Sequence, residues 1–243
     1  MRGRLTLASR FRASSSPSSR AQVEYLDIPE GSEEPAEAVW IKRAGKARVT
    51  YAGGSTYEGD FNDEKMKDGT GKYVWMEAGE EDEEPKEKAV YEGQYKDGKR
   101  TGTGSMRYPN KDEYTGEWKE NKMHGTGTYK YAKSQDIYSG SFVDGAKDGE
   151  GCYEFGADSS KLKGTWSAGK FVSGEWLFKT SDSSKPYKFA GDFANGQPTG
   201  AGAYTFPNGI VQAGSYEAKP LGEDAEEGAV PETKWVGEPV YAT

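Results

Sequence analysis

One histidine and one cysteine, His124 and Cys152, are the chain's whole stock of imidazole and thiol. Nucleophilic catalysis needs an activated hydroxyl or thiol beside a base, and zinc needs several His or Cys ligands. His124 stands just before Gly125, at a place that other segments fill with Asp68, Thr101, Asp148 and Thr199. It therefore belongs to a recurrent turn and not to a singular site. Cys152 lies between Gly151 and Tyr153 on the polar side of an expected strand, with no second thiol for a metal or an internal disulfide. Carboxylates are abundant, but they occur in runs such as residues 80–84, where solvation is expected instead of a pocket. Gly102-Thr103-Gly104 and Gly125-Thr126-Gly127 have the look of phosphate loops, yet the third spaced glycine, the Lys-Ser/Thr pair and the following helix are missing. The expectation is a non-enzyme, with no catalytic, cofactor or metal site.

The elements that hold these residues are short alternating strands. In residues 114–118, Tyr114, Gly116 and Trp118 point to one side while Thr115 and Glu117 point to the other. A polar turn follows, and then Gly125, Gly127, Tyr129 and Tyr131 alternate with Thr126, Thr128 and Lys130. This is a β-hairpin whose glycines leave room for a ring from the facing strand. The unit recurs from Tyr57, Tyr91, Tyr114, Tyr138 and Phe189, each time as aromatic-x-Gly-x-aromatic, a turn, and a second glycine-bearing strand. A further copy from Leu162 is degraded: Gly174 is its one glycine after the turn, and Trp176 is expected where a second would stand. Half units flank the array at residues 45–51 and 212–216. Starts at 91, 114, 138 and 162 set a period of 23 or 24 residues, which is that of a repeat architecture.

Composition agrees with a thin repeat array. Only 33% of residues are hydrophobic, while 33 glycines and 13% aromatics carry the pattern, so a thick aliphatic core is excluded. The net charge is −8, and residues 1–23 hold five arginines and no acid, leaving 27 basic against 40 acidic groups in residues 24–243. An acidic body repels phosphate backbones and anionic headgroups, so nucleic acid is not expected as a partner and a membrane is disfavoured. No apolar run approaches the length of a membrane-spanning helix.

Along the chain, residues 1–38 are expected to be a basic and then acidic flexible segment. Within it, residues 1–22, rich in Arg and Ser, have the composition of an organelle transit peptide. Residues 39–216 form the array, with Trp40 leading the chain into the sheet. An acidic insertion is expected at residues 77–90; seven of the twelve residues 77–88 are acids. Residues 217–243 are an acidic linker, including residues 223–227, and an apolar tail with Trp235, Pro239, Val240 and Tyr241 that folds back on the aromatic face or docks on a neighbour.

The period and the Tyr-x-Gly-x-(Trp/Phe/Tyr) … Gly-x-Gly-x-Tyr pattern resemble the MORN repeat (membrane occupation and recognition nexus) over residues 45 to about 216. The resemblance implies an all-β fold, an elongated, twisted antiparallel sheet of consecutive hairpins with an aromatic groove. One branch, the radial spoke head MORN components of motile cilia, is similar in finer order. A degraded repeat after Gly164-Thr165-Trp166 is followed by a repeat ending in Tyr204-Thr205-Phe206. Next come Gly214-Ser215-Tyr216, a glutamate-rich stretch, and the segment from Pro231 through Lys234 to Trp235. That similarity implies a scaffold subunit of the ciliary axoneme. Its partners would be other spoke head proteins, a second MORN subunit or a second copy, and the central-pair apparatus by transient contact. Tyr91, Tyr95, Tyr114, Trp118, Tyr138 and Phe142, with Trp166 and Trp235 at the carboxyl end, are the expected partner-binding residues. Two alternatives stand beside it. A lipid-binding or membrane-junction module would use the turn cations Lys96, Lys99, Arg100, Lys119 and Lys122, although acids are interleaved with them. An organelle-imported assembly factor would use residues 1–22.

Overall fold

The computed structural model describes residues 21–27, 41–77, 85–180, 186–218 and 233–240. Trp40, most of residues 1–38, the acidic residues 78–84 and 223–227, and Tyr241 lie outside the described residues. Each hairpin copies the alternation in the sequence. The strands are β1 (Gln22–Tyr25), β2 (Gly45–Thr50), β3 (Thr56–Phe61), β4 (Lys67–Glu77), β5 (Lys86–Lys96), β6 (Lys99–Arg107), β7 (Glu113–Lys119) and β8 (Lys122–Lys130). They continue as β9 (Ile137–Val143), β10 (Ala146–Glu154), β11 (Lys161–Ser167), β12 (Lys170–Phe178), β13 (Tyr187–Ala194), β14 (Gln197–Thr205), β15 (Val211–Ala218) and β16 (Thr233–Gly237). Every strand pairs with its neighbour in sequence, so the described residues form one open antiparallel meander in the order β1 to β16. The all-β fold expected from the repeats is the fold observed.

Two sorts of loop link the strands. Within most hairpins the turn is two residues with both φ positive, as at Asp97 (47°) and Gly98 (79°) between Lys96 and Lys99. Such a turn has the twist that antiparallel strands require, and Asp-Gly is a favoured pair for it. Between hairpins the loop is longer. At residues 108–112 the Tyr108 amide donates to the Asp112 carbonyl, 2.8 Å away.

The two glycines of Gly-x-Gly do different work. Gly125 has φ +57° and sits where the β7–β8 register shifts, so it serves a bulge. The Glu117 side chain accepts the Thr126 amide at 2.7 Å, satisfying an N–H at this bulge. Asp60 and Gln94 do the same for Thr70 and Thr103. Gly127 pairs with Gly116 across the hairpin, and the Tyr114 ring lies over both. A methyl group added at Gly127 would come within 2.5 Å of the ring at Cε2. The Tyr114 hydroxyl then donates to the Glu117 carbonyl at 2.8 Å. Tyr57, Tyr91 and Tyr138 donate equivalently to Asp60, Gln94 and Ser141.

These rings form one ladder. Tyr57 meets Tyr95 edge to face at 5.4 Å, Tyr91 meets Trp118 at 5.2 Å, Tyr114 meets Phe142 at 5.2 Å, and Tyr138 meets Trp166 at 5.2 Å. Within hairpins, Tyr91–Tyr95, Tyr114–Trp118 and Tyr138–Phe142 make the same T-shaped contacts. The edge-to-face geometry suits the ring quadrupoles and adds about 1 kcal/mol per pair to the burial of area.

The fifth hairpin corrects the expected alignment. Gly164 pairs with Gly174 and Leu162 with Trp176, so Trp176 holds the aromatic position of Tyr129 and Tyr153. The missing glycine is the bulge glycine, because this hairpin is shorter there and Val172 alone is left unpaired. Leu162 cannot cover the glycine pair as a tyrosine does. Buried Phe171 closes the gap instead, meeting Trp166 at 5.2 Å and Phe193 at 4.8 Å. The ends differ from expectation as well. Gln22–Tyr25 is a strand within the segment expected to be flexible, and the acidic insertion is narrower than residues 77–90, since Glu77 and residues 86–90 are laddered. The tail does fold back: β16 adds to β15 and sets Trp235 against Tyr216 at 5.2 Å.

Gly127→Ala is expected to lower stability by about 3 kcal/mol, since overpacking forces the Tyr114 ring off the sheet. Tyr138→Phe removes one hydroxyl–carbonyl bond and should cost only about 1 kcal/mol, as Phe189 already occupies that place in the sixth hairpin. Urea unfolding of the variants, monitored by tryptophan fluorescence, measures both.

Candidate interaction face

The two sides of the sheet are chemically distinct. On the polar side, charges are matched across strands: Arg48 with Glu58 at 2.7 Å, Lys161 with Glu154 at 2.9 Å, Lys188 with Glu175 at 2.9 Å, and Arg107 with Glu87. Exposed pairs of this kind add little stability, but they leave that face electrically quiet. Thr128 and Ser139 share a hydrogen bond there, and half-buried Cys152 lies between Ser139 and Lys163.

On the aromatic side the rings fall into two rows. The ladder just described is the inner row. Of the residues expected to bind partners, Tyr91, Tyr95, Tyr114, Trp118, Tyr138, Phe142 and Trp166 are all buried in it, with Tyr91, Tyr114 and Tyr138 at 0% exposure. A ring covered by its own chain has no surface to offer, so these seven are packing residues; their spacing marks the ladder and not the contact. Trp235 differs, being half-buried and flanked by Tyr204 at 4.9 Å. The outer row consists of half-buried rings: Tyr73 with Trp75 at 4.4 Å, Tyr129 with Tyr131 at 4.6 Å, Tyr153 with Phe155 at 4.9 Å, and Trp176 with Phe178 at 4.4 Å. These retain exposed apolar surface with a polar tip.

Two carboxylates brace the outer row. Asp112, only 8% exposed, accepts the Tyr129 hydroxyl at 2.9 Å and the Ala132 amide at 2.8 Å. Asp136 accepts the Tyr153 hydroxyl at 2.6 Å and the Gly156 amide at 2.8 Å. Burial pushes the Asp136 carboxyl up, but these bonds, one from Ser134 and the Lys147 charge outweigh it and hold it below the usual carboxylate range. Each aspartate thus ties its hairpin's entry to that same hairpin's exit, at the position two residues before the ladder tyrosine.

Cations also enter this face. Lys67 pairs with Phe61, Arg100 with Tyr95 and Lys147 with Phe142, so all three project among the rings. The Lys67 ammonium is 4.3 Å from the Tyr73 centroid, Arg100 is 4.6 Å from Trp118, and Lys147 is 4.7 Å from both Tyr153 and Trp166. Arg100 is therefore no exposed turn cation. The same place is taken by Met123, Phe171 and Pro198 in other hairpins, so the position holds a side chain against the rings without requiring a charge.

His124 lies in strand β8, at the bulge and not in the turn, because the turn is confined to Glu120 and Asn121. Its Nδ1 is buried without a hydrogen-bond partner among the described residues. No group of three or more His, Cys, Asp and Glu suited to a metal gathers among the described residues.

A family model for the MORN repeat matches residues 91–113, 114–135, 138–159 and 189–211, the hairpins β5–β6, β7–β8, β9–β10 and β13–β14. Four MORN repeats are present. No curated protein matches the chain. Among the six hairpins expected from the pattern, the β3–β4 and β11–β12 units fall outside these four stretches. Their structures say why: the first has a longer turn through Lys65, and the fifth has lost the ring and the bulge glycine. MORN repeats make structural or binding modules, for protein partners or membranes, and the aromatic face is the side of the sheet with exposed ring surface to bind with.

The buried and half-buried tyrosines and Lys67 make stability sensitive to alkali. Burial pushes the Tyr51, Tyr91 and Tyr138 hydroxyls up to about 12 and holds Lys67 down at about 8. A phenol whose folded pKa is raised stabilises below its unfolded value, near 10, and that contribution is lost as pH rises through about 12. Lys67 has the opposite sign, favouring the fold as pH rises above about 8, where the unfolded lysine still binds its proton. Stability should therefore rise slightly above about pH 8 and fall steeply above about pH 10. Urea midpoints across that range, with tyrosinate absorbance recorded in parallel, test the order of the two effects.

Proposed function

We propose that the chain is a non-enzymatic scaffold subunit of the ciliary radial spoke head. The observation that carries a scaffold role is the outer row of half-buried rings between Tyr73 and Phe206, clusters of partly exposed aromatic surface spaced along one side of an open sheet. Rings in this state bind well, since they offer apolar area with a polar edge at little entropic cost. Among the described residues the sheet also ends in strands with one partner each, β1 and β16, and unpaired backbone groups accept a further strand. The partners on this reading are other spoke head proteins, a second MORN subunit or a second copy, with transient contact to the central pair. The assignment to the spoke head is supported by the order of features at the carboxyl end: the degraded Leu162 hairpin, the repeat closing on Phe206, the half unit ending at Tyr216, and the strand containing Trp235.

A tagged copy in a ciliated cell is expected to lie along motile axonemes and to remain with them after detergent extraction. A tagged copy inside an organelle, processed near Arg20, would overturn the reading in favour of an imported assembly factor. Flotation of the purified chain with anionic liposomes at physiological salt would favour a membrane module instead.

A further inference from the structure

The two faces of the sheet treat charge in opposite ways. Cations of the polar face sit against carboxylates of the next strand. Lys67 and Arg100, on the aromatic face, have no carboxylate within ion-pair distance among the described residues, although the chain as a whole is acidic. Arg100 instead donates to the Asn121 carbonyl at 2.9 Å, which orients its guanidinium, and Lys67 has rings on several sides. Both line one open cleft of about 230 Å³ whose other walls are Tyr73, Trp75, Tyr95 and Asn121. Two half-desolvated cations above an aromatic floor, with their anion missing, are half of a charge-assisted contact.

We propose that this cleft between the first two hairpins is a docking site for an acidic, extended peptide segment of a protein partner, whose carboxylates pair with Lys67 and Arg100 while its backbone lies on the half-buried Tyr73 and Trp75. The inference rests on the scaffold reading and names the chemistry of one partner. Lys67 is on β4 and Arg100 on β6, and Arg100 is level with Gly69, two residues along β4 from Lys67, so their backbones are about 12 Å apart, a span that the two long side chains narrow. Three residues of polyproline II chain advance about 9 Å and return to the same side. Glutamates three residues apart in such a segment therefore reach one cation each, and prolines between them stack on the rings. An anionic membrane fits less well: a broad negative surface would also meet Asp97, the turn residue next to the Gly98 that lines this cleft.

The test uses the full-length chain and a fluorescein-labelled peptide of Glu-Pro-Ala triplets, with a Gln-Pro-Ala peptide as the uncharged control. The Glu peptide is expected to bind at least about tenfold more tightly than the Gln peptide, with an affinity that weakens as salt is added. Lys67→Met combined with Arg100→Met should remove that difference. Methionine is chosen because Met123 occupies this position in the third hairpin, so the rings stay covered; an unchanged thermal midpoint, within a few degrees, verifies folding. Equal affinity for the two peptides, or a double variant that binds as the unaltered chain does, overturns the proposal. So does phosphatidylserine-vesicle binding abolished by the double variant, which would assign the cleft to lipid. These outcomes are separate from the scaffold reading, which fails on the location of the tagged protein whatever the peptides do.

Discussion

A tyrosine ring lying flat over a pair of glycines is the contact on which this structure depends. The glycines face each other across a hairpin, as Gly116 and Gly127 do, and any side chain there would meet the Tyr114 ring. The ring is thereby brought low enough for its hydroxyl to reach the carbonyl three residues on, and its edge is presented to the aromatic of the next hairpin. One contact thus sets the register within a hairpin and the packing between hairpins. A sheet with few leucines and isoleucines in its interior holds together because this contact is repeated.

That economy has a consequence for the surface. A ladder one ring deep buries its inner row, but it only half covers the outer row, and there is no second layer among the described residues to finish the job. The outer rings are kept in place by Asp112 and Asp136 and by the cations Lys67 and Lys147 lying over them, while Arg100 lies over Trp118 of the inner row. The same groups that keep the rings ordered also give the face its chemical character: aromatic, with positive charge in a negatively charged protein. Binding and self-stabilisation are therefore carried by adjacent rows of one face, so a substitution in either row would disturb the other.

The fifth hairpin shows how much variation the ladder tolerates. Leu162 removes the tyrosine, the bulge glycine is gone, and the strand pair continues because Phe171 reaches across to Phe193. The edge-to-face geometry gives way to tilted rings at 55° and 59° at that point. The array continues through a different packing solution, and the matched MORN repeats resume with residues 189–211.

The amino-acid sequence by itself determined the strands of the repeat array, their alternation and their order, though not the end strands β1 and β16, because a period of two inside a period of 23 or 24 admits one simple arrangement, a meander of hairpins. It also marked the aromatics that matter, Tyr91, Tyr114 and Tyr138 among them, as a set. What it left undetermined was which side of the packing each ring falls on. Both rows have the same residue types at the same spacing, and only the low approach permitted by the glycine pair buries Tyr114 while leaving Tyr129 half open. The two glycines of Gly-x-Gly look alike in sequence, yet one supports a bulge and the other a ring, a difference that exists only once the strands are paired. The cations were hidden for a similar reason: Arg100 beside a turn has the sequence signature of a solvated charge, and the bulge that turns it inward is a property of the paired backbone.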